Sequence, residues 1–280
     1  GWMLTRLTTA SLLSLALVFA GCSDDSSTPS KDGQVQPDQA SMDAGNDIDT
    51  SACQGDGTAK VVTFDAEDGQ KLEGDLYLGG KANAGAVVLL HMIPPNNTRA
   101  NYPKAFIDRL LAKGLTVLNI DRRGAGGSTP GTAVDAYTGP KGKLDAKAAY
   151  ALLKAHSCPV DMKKIVFIGA SNGTTTALDF TVLASTDDTL ELPAGLVFLT
   201  GGAYTETNTR IADHRTLLDP LPIFFVYSKA ERAWSAGFES GKGAGWTFKE
   251  YDPGDHGTRL FTAAPQSMDD VADWVEALMN

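Results

Sequence analysis

Gly169-Ala170-Ser171-Asn172-Gly173 is a Gly-x-Ser-x-Gly pentapeptide. It follows the apolar run Lys164–Ile168 directly and enters a helical stretch, Thr174–Leu183. That context makes a common pentapeptide specific. A serine at a sharp strand-to-helix turn is lifted over the positive end of the helix, where it can act as a nucleophile, and glycines flank it because the tight turn leaves no room for Cβ atoms. The bland alternative is a chance Gly-rich turn. A serine hydroxyl needs a base, and the chain has 4 His: His91, His156, His214 and His256. His256 lies in Asp252-Pro253-Gly254-Asp255-His256-Gly257, between the last strand-like run and the C-terminal helix, where the base stands in this chain order. His156, at a helix end beside Cys158, and His214, in a polar stretch, read as surface residues. The base needs an orienting carboxylate. Glu231, four residues past the run Ile223–Tyr227, is favoured, with Asp255, Glu206 and Asp213 as rivals. The bland reading of Glu231 is a solvated pair with Arg232. An oxyanion would also need backbone N–H donors. Asn172 N–H, just after the serine, supplies one. The loop Leu90-His91-Met92-Ile93-Pro94-Pro95 should supply the other.

These residues require a scaffold that brings distant segments to one edge. Short apolar runs at Ala86–His91, Leu115–Ile120, Lys164–Ile168, Leu196–Thr200 and Ile223–Tyr227 suit strands buried on both faces of a parallel sheet. Trp246–Tyr251 alternates and suits a last strand. Lys60–Asp65 and Lys71–Leu78 read as a hairpin around Asp68-Gly69. Phe106, Leu110 and Leu111 form a helical stripe that stops before Gly114, and Leu144–Ala155 is a second helix with Asp145 near its positive end. Ser267 and Asp270 have capping-box spacing, and Val271, Trp274, Val275 and Leu278 recur at helical spacing after them. A hairpin followed by β-α-β-α units predicts an α/β fold: a mostly parallel, eight-stranded sheet with helices on both faces.

The segment Asp121-Arg122-Arg123-Gly124-Ala125-Gly126-Gly127-Ser128 matches an Asp-x-Arg-Gly-x-Gly-x-Ser loop. Together with the serine turn and the His91 loop, it makes residues 59–280 resemble the α/β-hydrolase superfamily, most closely its dienelactone-hydrolase-like and serine-esterase branches. The resemblance implies Ser171 as nucleophile, His256 as base and Glu231 as acid. It also implies Ile93 N–H as the second oxyanion donor, with Met92 N–H beside it, and no metal or organic cofactor. The chain departs from the family pattern where Met92 stands for the usual Gly after the loop histidine, Thr174 for a frequent extra Gly, and Glu231 for the commoner Asp. Family lids enter after the run Leu196–Thr200. Only Gly201–Leu221 is available here, so a minimal cap and an open cleft are expected, with Met92, Tyr204 and Trp234 as candidate substrate walls.

Charge divides the chain. It carries 24 Lys+Arg against 34 Asp+Glu, a formal net charge of −10. Eight of the Asp fall between 23 and 58, beside a single Lys. A basic face for nucleic acid is not indicated. Hydrophobic residues at 42% are ordinary for a globular body. Residues 1–22 hold Arg6 and the apolar run Leu12–Ala20, too short to span a bilayer but suited to a signal h-region. The run ends in Phe19-Ala20-Gly21-Cys22, which resembles the lipobox of bacterial lipoproteins. This implies lipidation at Cys22 and an envelope location, at the outer membrane, periplasmic face or cell surface. Residues 23–58 are Ser-, Asp- and Gly-rich and read as a flexible tether. In an oxidising envelope the two remaining cysteines, Cys53 and Cys158, read as a disulfide.

The sequence therefore predicts a lipid-anchored serine esterase acting on a small-molecule ester. A peptidase or amidase on the same triad, and a non-catalytic binding module, are the alternatives.

Overall fold

The computed structural model describes residues 50–202 and 208–280. Cys22, Tyr204 and Glu206 lie outside the described residues, as do the expected signal segment and most of the tether. Apolar runs become strands at β1 (Lys60–Asp65), β2 (Lys71–Tyr77), β3 (Ala84–Leu90), β4 (Thr116–Ile120), β5 (Val160–Ala170), β6 (Gly195–Leu199), β7 (Ile223–Ser228) and β8 (Trp246–Tyr251). They form one eight-stranded sheet in the order β1-β2-β4-β3-β5-β6-β7-β8. β1 and β2 form an antiparallel hairpin, and β2 also runs antiparallel to β4. From β4 to β8 every pairing is parallel.

Pleating sends alternate residues of each central strand to opposite faces, and both faces are covered. Val87, Leu89, Val166 and Ile168 pack under α1 (Lys104–Ala112) and the C-terminal helix. Val88, Leu90, Ile165 and Phe167 pack under α2 (Gly142–Ala155) and α3 (Gly173–Ala184). Two single turns, α4 (Arg215–Leu218) and α5 (Leu260–Ala263), precede α6 (Gln266–Met279). The α1 stripe ends as expected. Gly114 takes φ 78°, its N–H bonds Leu111 O, and the Leu115 N–H bonds Leu110 O, the paired bonds of a helix stop that a Cβ would oppose.

Two local expectations change. The strand expected at Lys164–Ile168 starts at Val160, because the Ala84 and Ala86 pairings extend it across a register shift against β3. Ser267 and Asp270 do not cap α6. Pro265 occupies the N-cap and its fixed φ starts the helix before Ser267. Asp270 instead accepts Tyr251 O–H at 2.5 Å.

Cys53 and Cys158 are joined, with Cα atoms 4.8 Å apart and a sequence separation of 105. A cross-link of that span typically contributes roughly 2–4 kcal/mol, chiefly by restricting the unfolded chain. Cys158 lies just before β5 and Ser171 just after it. Eleven residues of strand at about 3.3 Å each separate the two ends, so the cross-link stands at the sheet edge opposite the serine.

Candidate active site

The register decides what meets at the other edge. Leu90 pairs with Gly169, Ala170 with Leu199, Leu199 with Val226, and Ser228 with Tyr251. The residues that follow these strands therefore share one edge. The chain leaves β3 toward one side of the sheet and β5 toward the other, so the crevice between their ends is a topological switch point. Ser171 follows β5, and Met92 and Ile93 follow β3.

Ser171 sits at φ 51° and is 5% exposed. A non-glycine residue in the left-handed region is uncommon and costs of order 1–3 kcal/mol. The flanking glycines show why the turn holds. A Cβ on Gly169 would lie 2.5 Å from Thr174 N, and one on Gly173 would lie 2.6 Å from His91 O. Thr174, which stands where the family often has a further Gly, is accommodated from across the site. Its hydroxyl donates to Ser171 O at 2.7 Å, and its methyl occupies the space that a side chain on Gly201 would fill.

The structure brings Ser171, His256 and Glu231 into line. Ser171 Oγ is 2.6 Å from His256 Nε2, and His256 Nδ1 is 3.0 Å from Glu231 Oε2. With the proton on Nδ1, the ring donates to the carboxylate and leaves Nε2 to accept from the serine. Glu231 lies in the 3-10 segment Lys229–Trp234 after β7, where the backbone kinks at φ −109°, ψ 20°. Arg232 does not pair with it. That guanidinium goes to Glu250 Oε2 at 2.6 Å. The described rivals are engaged elsewhere. Asp255 accepts its neighbour's backbone N–H, from His256, at 2.6 Å and Arg259 Nε–H at 3.1 Å. These bonds, the backbone one first, hold its carboxyl below the usual range. Asp213 pairs with Arg210.

Beside the serine, the loop after β3 is pinned from below. His91 is fully buried. Its Nε2 accepts from Arg122 N–H at 2.9 Å, so Nδ1 carries the proton and donates to Met92 O at 2.7 Å. Burial, reinforced by the Arg122 charge, lowers its pKa to about 3, so the ring is neutral. The Arg122 guanidinium, also fully buried, donates from Nη1 to His91 O at 3.1 Å and to Met92 O at 3.4 Å. In a trans peptide the carbonyl and the next N–H point in opposite directions. Both carbonyls face Arg122, so the Met92 and Ile93 N–H groups point away from it. Among the described residues no hydrogen bond takes those two N–H groups or that of Asn172.

Met92 itself is 3% exposed. Its sulfur lies 3.8 Å from the Thr258 hydroxyl, and a Cβ on Gly257 would meet Met92 Sδ at 2.6 Å and Ser171 Cβ at 3.6 Å. The thioether thus packs beneath the histidine loop, and Met92 contributes little side-chain wall. Ile93 and Trp234, 43% and 41% exposed, stand at the ends of β3 and of the Glu231 segment. His156 accepts Cys158 N–H at 3.0 Å and takes no part in the triad. Sequence reasoning missed the buried role of Arg122 and the contacts of Thr200, whose signals are backbone directions rather than residue types.

No protein-family model and no curated protein matches the chain. Solved structures do. An esterase from Pyrococcus furiosus superposes with TM-score 0.60 at 18% identity, covering 79% of this chain and 91% of that one. An α/β hydrolase from Vibrio vulnificus gives 0.58 at 16% identity, covering 78% and 81%. Brefeldin A esterase, a bacterial homologue of human hormone sensitive lipase, gives 0.56 at 17% identity, covering 79% and 77%. With its strand order, its helices on both faces and a serine turn after the central strand, the chain has the α/β-hydrolase fold.

Proposed function

We propose that the protein is a serine hydrolase that cleaves carboxylic esters through an acyl-enzyme. One observation carries the reading: a serine in a left-handed turn, 2.6 Å from an imidazole nitrogen whose partner nitrogen is 3.0 Å from a carboxylate. Ser171 attacks the ester carbonyl while His256 Nε2 takes its proton. Glu231 holds the ring and stabilises the imidazolium. The Asn172, Ile93 and Met92 N–H groups, which bond no described residue, hold the oxyanion. His256 then gives the proton to the departing alcohol, and water repeats the sequence on the acyl-enzyme. A fluorophosphonate probe tests this directly. It should label the wild-type chain at Ser171 and nowhere in Ser171→Ala. An unlabelled wild-type protein would turn the reading toward a binding module.

The acyl group that fits is short. Of the segment between β6 and β7, residues 211–218 form a 3-10 turn and a single helical turn, and Ile211 and Leu218 are buried in the core rather than spread over the serine. Ile93 and Trp234 remain as apolar rim. Each buried methylene contributes roughly 0.8 kcal/mol, about fourfold in kcat/KM, but only while wall remains to cover it. With p-nitrophenyl esters kcat/KM should peak between acetyl and hexanoyl and fall beyond. A profile still rising at palmitoyl, or a rate jump at the micellar threshold, would show a true lid.

The envelope location belongs to the same proposal and rests on the sequence from Arg6 to Cys22. Cys22→Ser should move the protein from the membrane fraction to the soluble fraction, since the apolar run is too short to hold it by itself. Unmodified Cys22 in the mature protein, read by mass spectrometry, would end the lipoprotein reading.

A further inference from the structure

We infer that three consecutive residues at the end of β6, Leu199-Thr200-Gly201, form a bracket that aligns the nucleophile, the base and the acid with one another, and that Thr200 and Ser235 are positioning residues for the reaction. The inference rests on the serine-hydrolase reading above.

Each residue of the bracket holds a different arm. Leu199 O accepts the Ser171 N–H at 2.8 Å, which fixes the serine turn against the neighbouring strand. Thr200 Oγ1 accepts the Gly257 N–H at 3.0 Å, and Gly257 is the residue after His256. Gly201 is locked to Ser235, four residues past Glu231, by two bonds. The Gly201 N–H donates to Ser235 Oγ at 3.2 Å, and the Ser235 hydroxyl donates to Gly201 O at 2.9 Å. Thr200 and Ser235 are both fully buried, so these bonds face no competition from water.

The backbone at the centre of the bracket is unusual. Thr200 has φ 55°, in a region that β-branched residues seldom enter. Its own N–H still pairs with Val226 O at 2.8 Å, so strand pairing with β7 reaches this residue, and the left-handed turn comes directly after it. The turn sends the hydroxyl toward the histidine loop, and the next residue toward the glutamate segment. A residue held in a sparsely populated conformation at a site of convergence is where an observed outlier points to function. The three arms otherwise come from separate segments around 171, 231 and 256, with no direct chain link. A common bracket keeps the serine-to-histidine and histidine-to-glutamate distances from drifting independently, and small misplacements of such groups are costly in rate.

Full-length protein carrying Thr200→Val, Thr200→Ser or Ser235→Ala tests this with p-nitrophenyl acetate, alongside melting temperature. Thr200→Val keeps the shape and the branched Cβ but removes the acceptor. It should lower kcat about tenfold or more with KM within about twofold, whereas Thr200→Ser, which keeps the hydroxyl, should recover most of the rate. Ser235→Ala should lower kcat several-fold through the glutamate arm. If Thr200→Val keeps kcat within twofold, or Thr200→Ser is as slow as Thr200→Val, the bracket is overturned. Should Thr200→Val fail to fold, Ser235→Ala decides, and an unchanged kcat there overturns the proposal. Failure of wild-type protein to react with the fluorophosphonate would instead remove the serine-hydrolase reading itself, so the two failures are distinguishable.

Discussion

Ser171→Ala and His256→Ala are each expected to cut kcat by ~10⁴-fold or more, and the double variant to fall little further, because on the proposed serine-hydrolase reading nucleophile and base act as a unit. The geometry sets this expectation. Ser171 Oγ lies 2.6 Å from His256 Nε2, so the proton transfer has one path, and no second histidine among the described residues bonds the serine. On that reading, what survives in either variant is catalysis by the proposed oxyanion donors and by binding. Glu231→Ala should cost less than either, since an imidazole without its carboxylate still accepts a proton but in a poorer tautomer and orientation. Glu231→Gln separates charge from shape, because the amide keeps the size and can still accept one bond from Nδ1. The measurement is kcat and KM on a short ester for these variants and for Asp255→Ala, normalised to folded protein. If Glu231→Ala keeps full activity and Asp255→Ala loses it, the acid is reassigned. The Asp255 bonds to the His256 backbone and to Arg259 argue against that outcome.

The parts of this site that were legible in the sequence are those encoded by residue type in a fixed order. Serine between glycines after an apolar strand, a late histidine in a Gly-rich loop and an acidic residue past the penultimate strand each follow from what the turn or the proton transfer needs. The sheet was legible for a similar reason, since strands buried on both faces must be short and apolar. Direction was not legible. Thr200 is an ordinary polar residue in sequence, and its role comes from a left-handed φ that composition does not announce. Ser235 follows Trp234 with no motif around it. Arg122 falls at a variable position of its loop, and only the fold reveals that it is buried. Ser267 misled because Pro265 starts the helix sooner than capping-box spacing suggests. Thr174 departs from the family pattern in sequence, and the space its methyl needs is supplied by Gly201, which follows a different strand.

Arg122→Met should be the second most damaging change, and its effect should fall on kcat more than on KM. The guanidinium donates to His91 O and Met92 O from one nitrogen, and from the other to Ala136 O at 2.7 Å and Thr176 Oγ1 at 2.9 Å. It thereby ties the loop after β3 to α3 and to the turn before α2. Burial lowers its pKa to about 10, which still leaves it charged at neutral pH, since ionisation of this group is lost only as pH rises through that value. Methionine fills much of the volume but leaves His91 O without its donor, at a cost of roughly 1–3 kcal/mol, while Met92 O keeps the His91 Nδ1–H and Ala136 O keeps the Thr176 hydroxyl. The loop can relieve that cost by turning the His91–Met92 peptide over, which withdraws the Met92 N–H group from the proposed oxyanion position. Loss of one such donor typically lowers kcat by ~10²–10³-fold. The ground-state ester makes little use of these donors, so KM should change far less. Arg122→Lys, with a charge but no planar fork, should fall between wild type and Arg122→Met. Rates are to be taken per serine titrated with fluorophosphonate, so that an unfolded fraction drops out. Titratable Arg122→Met protein with kcat within threefold of wild type would show that His91 alone holds the loop and that the buried cation serves the fold only.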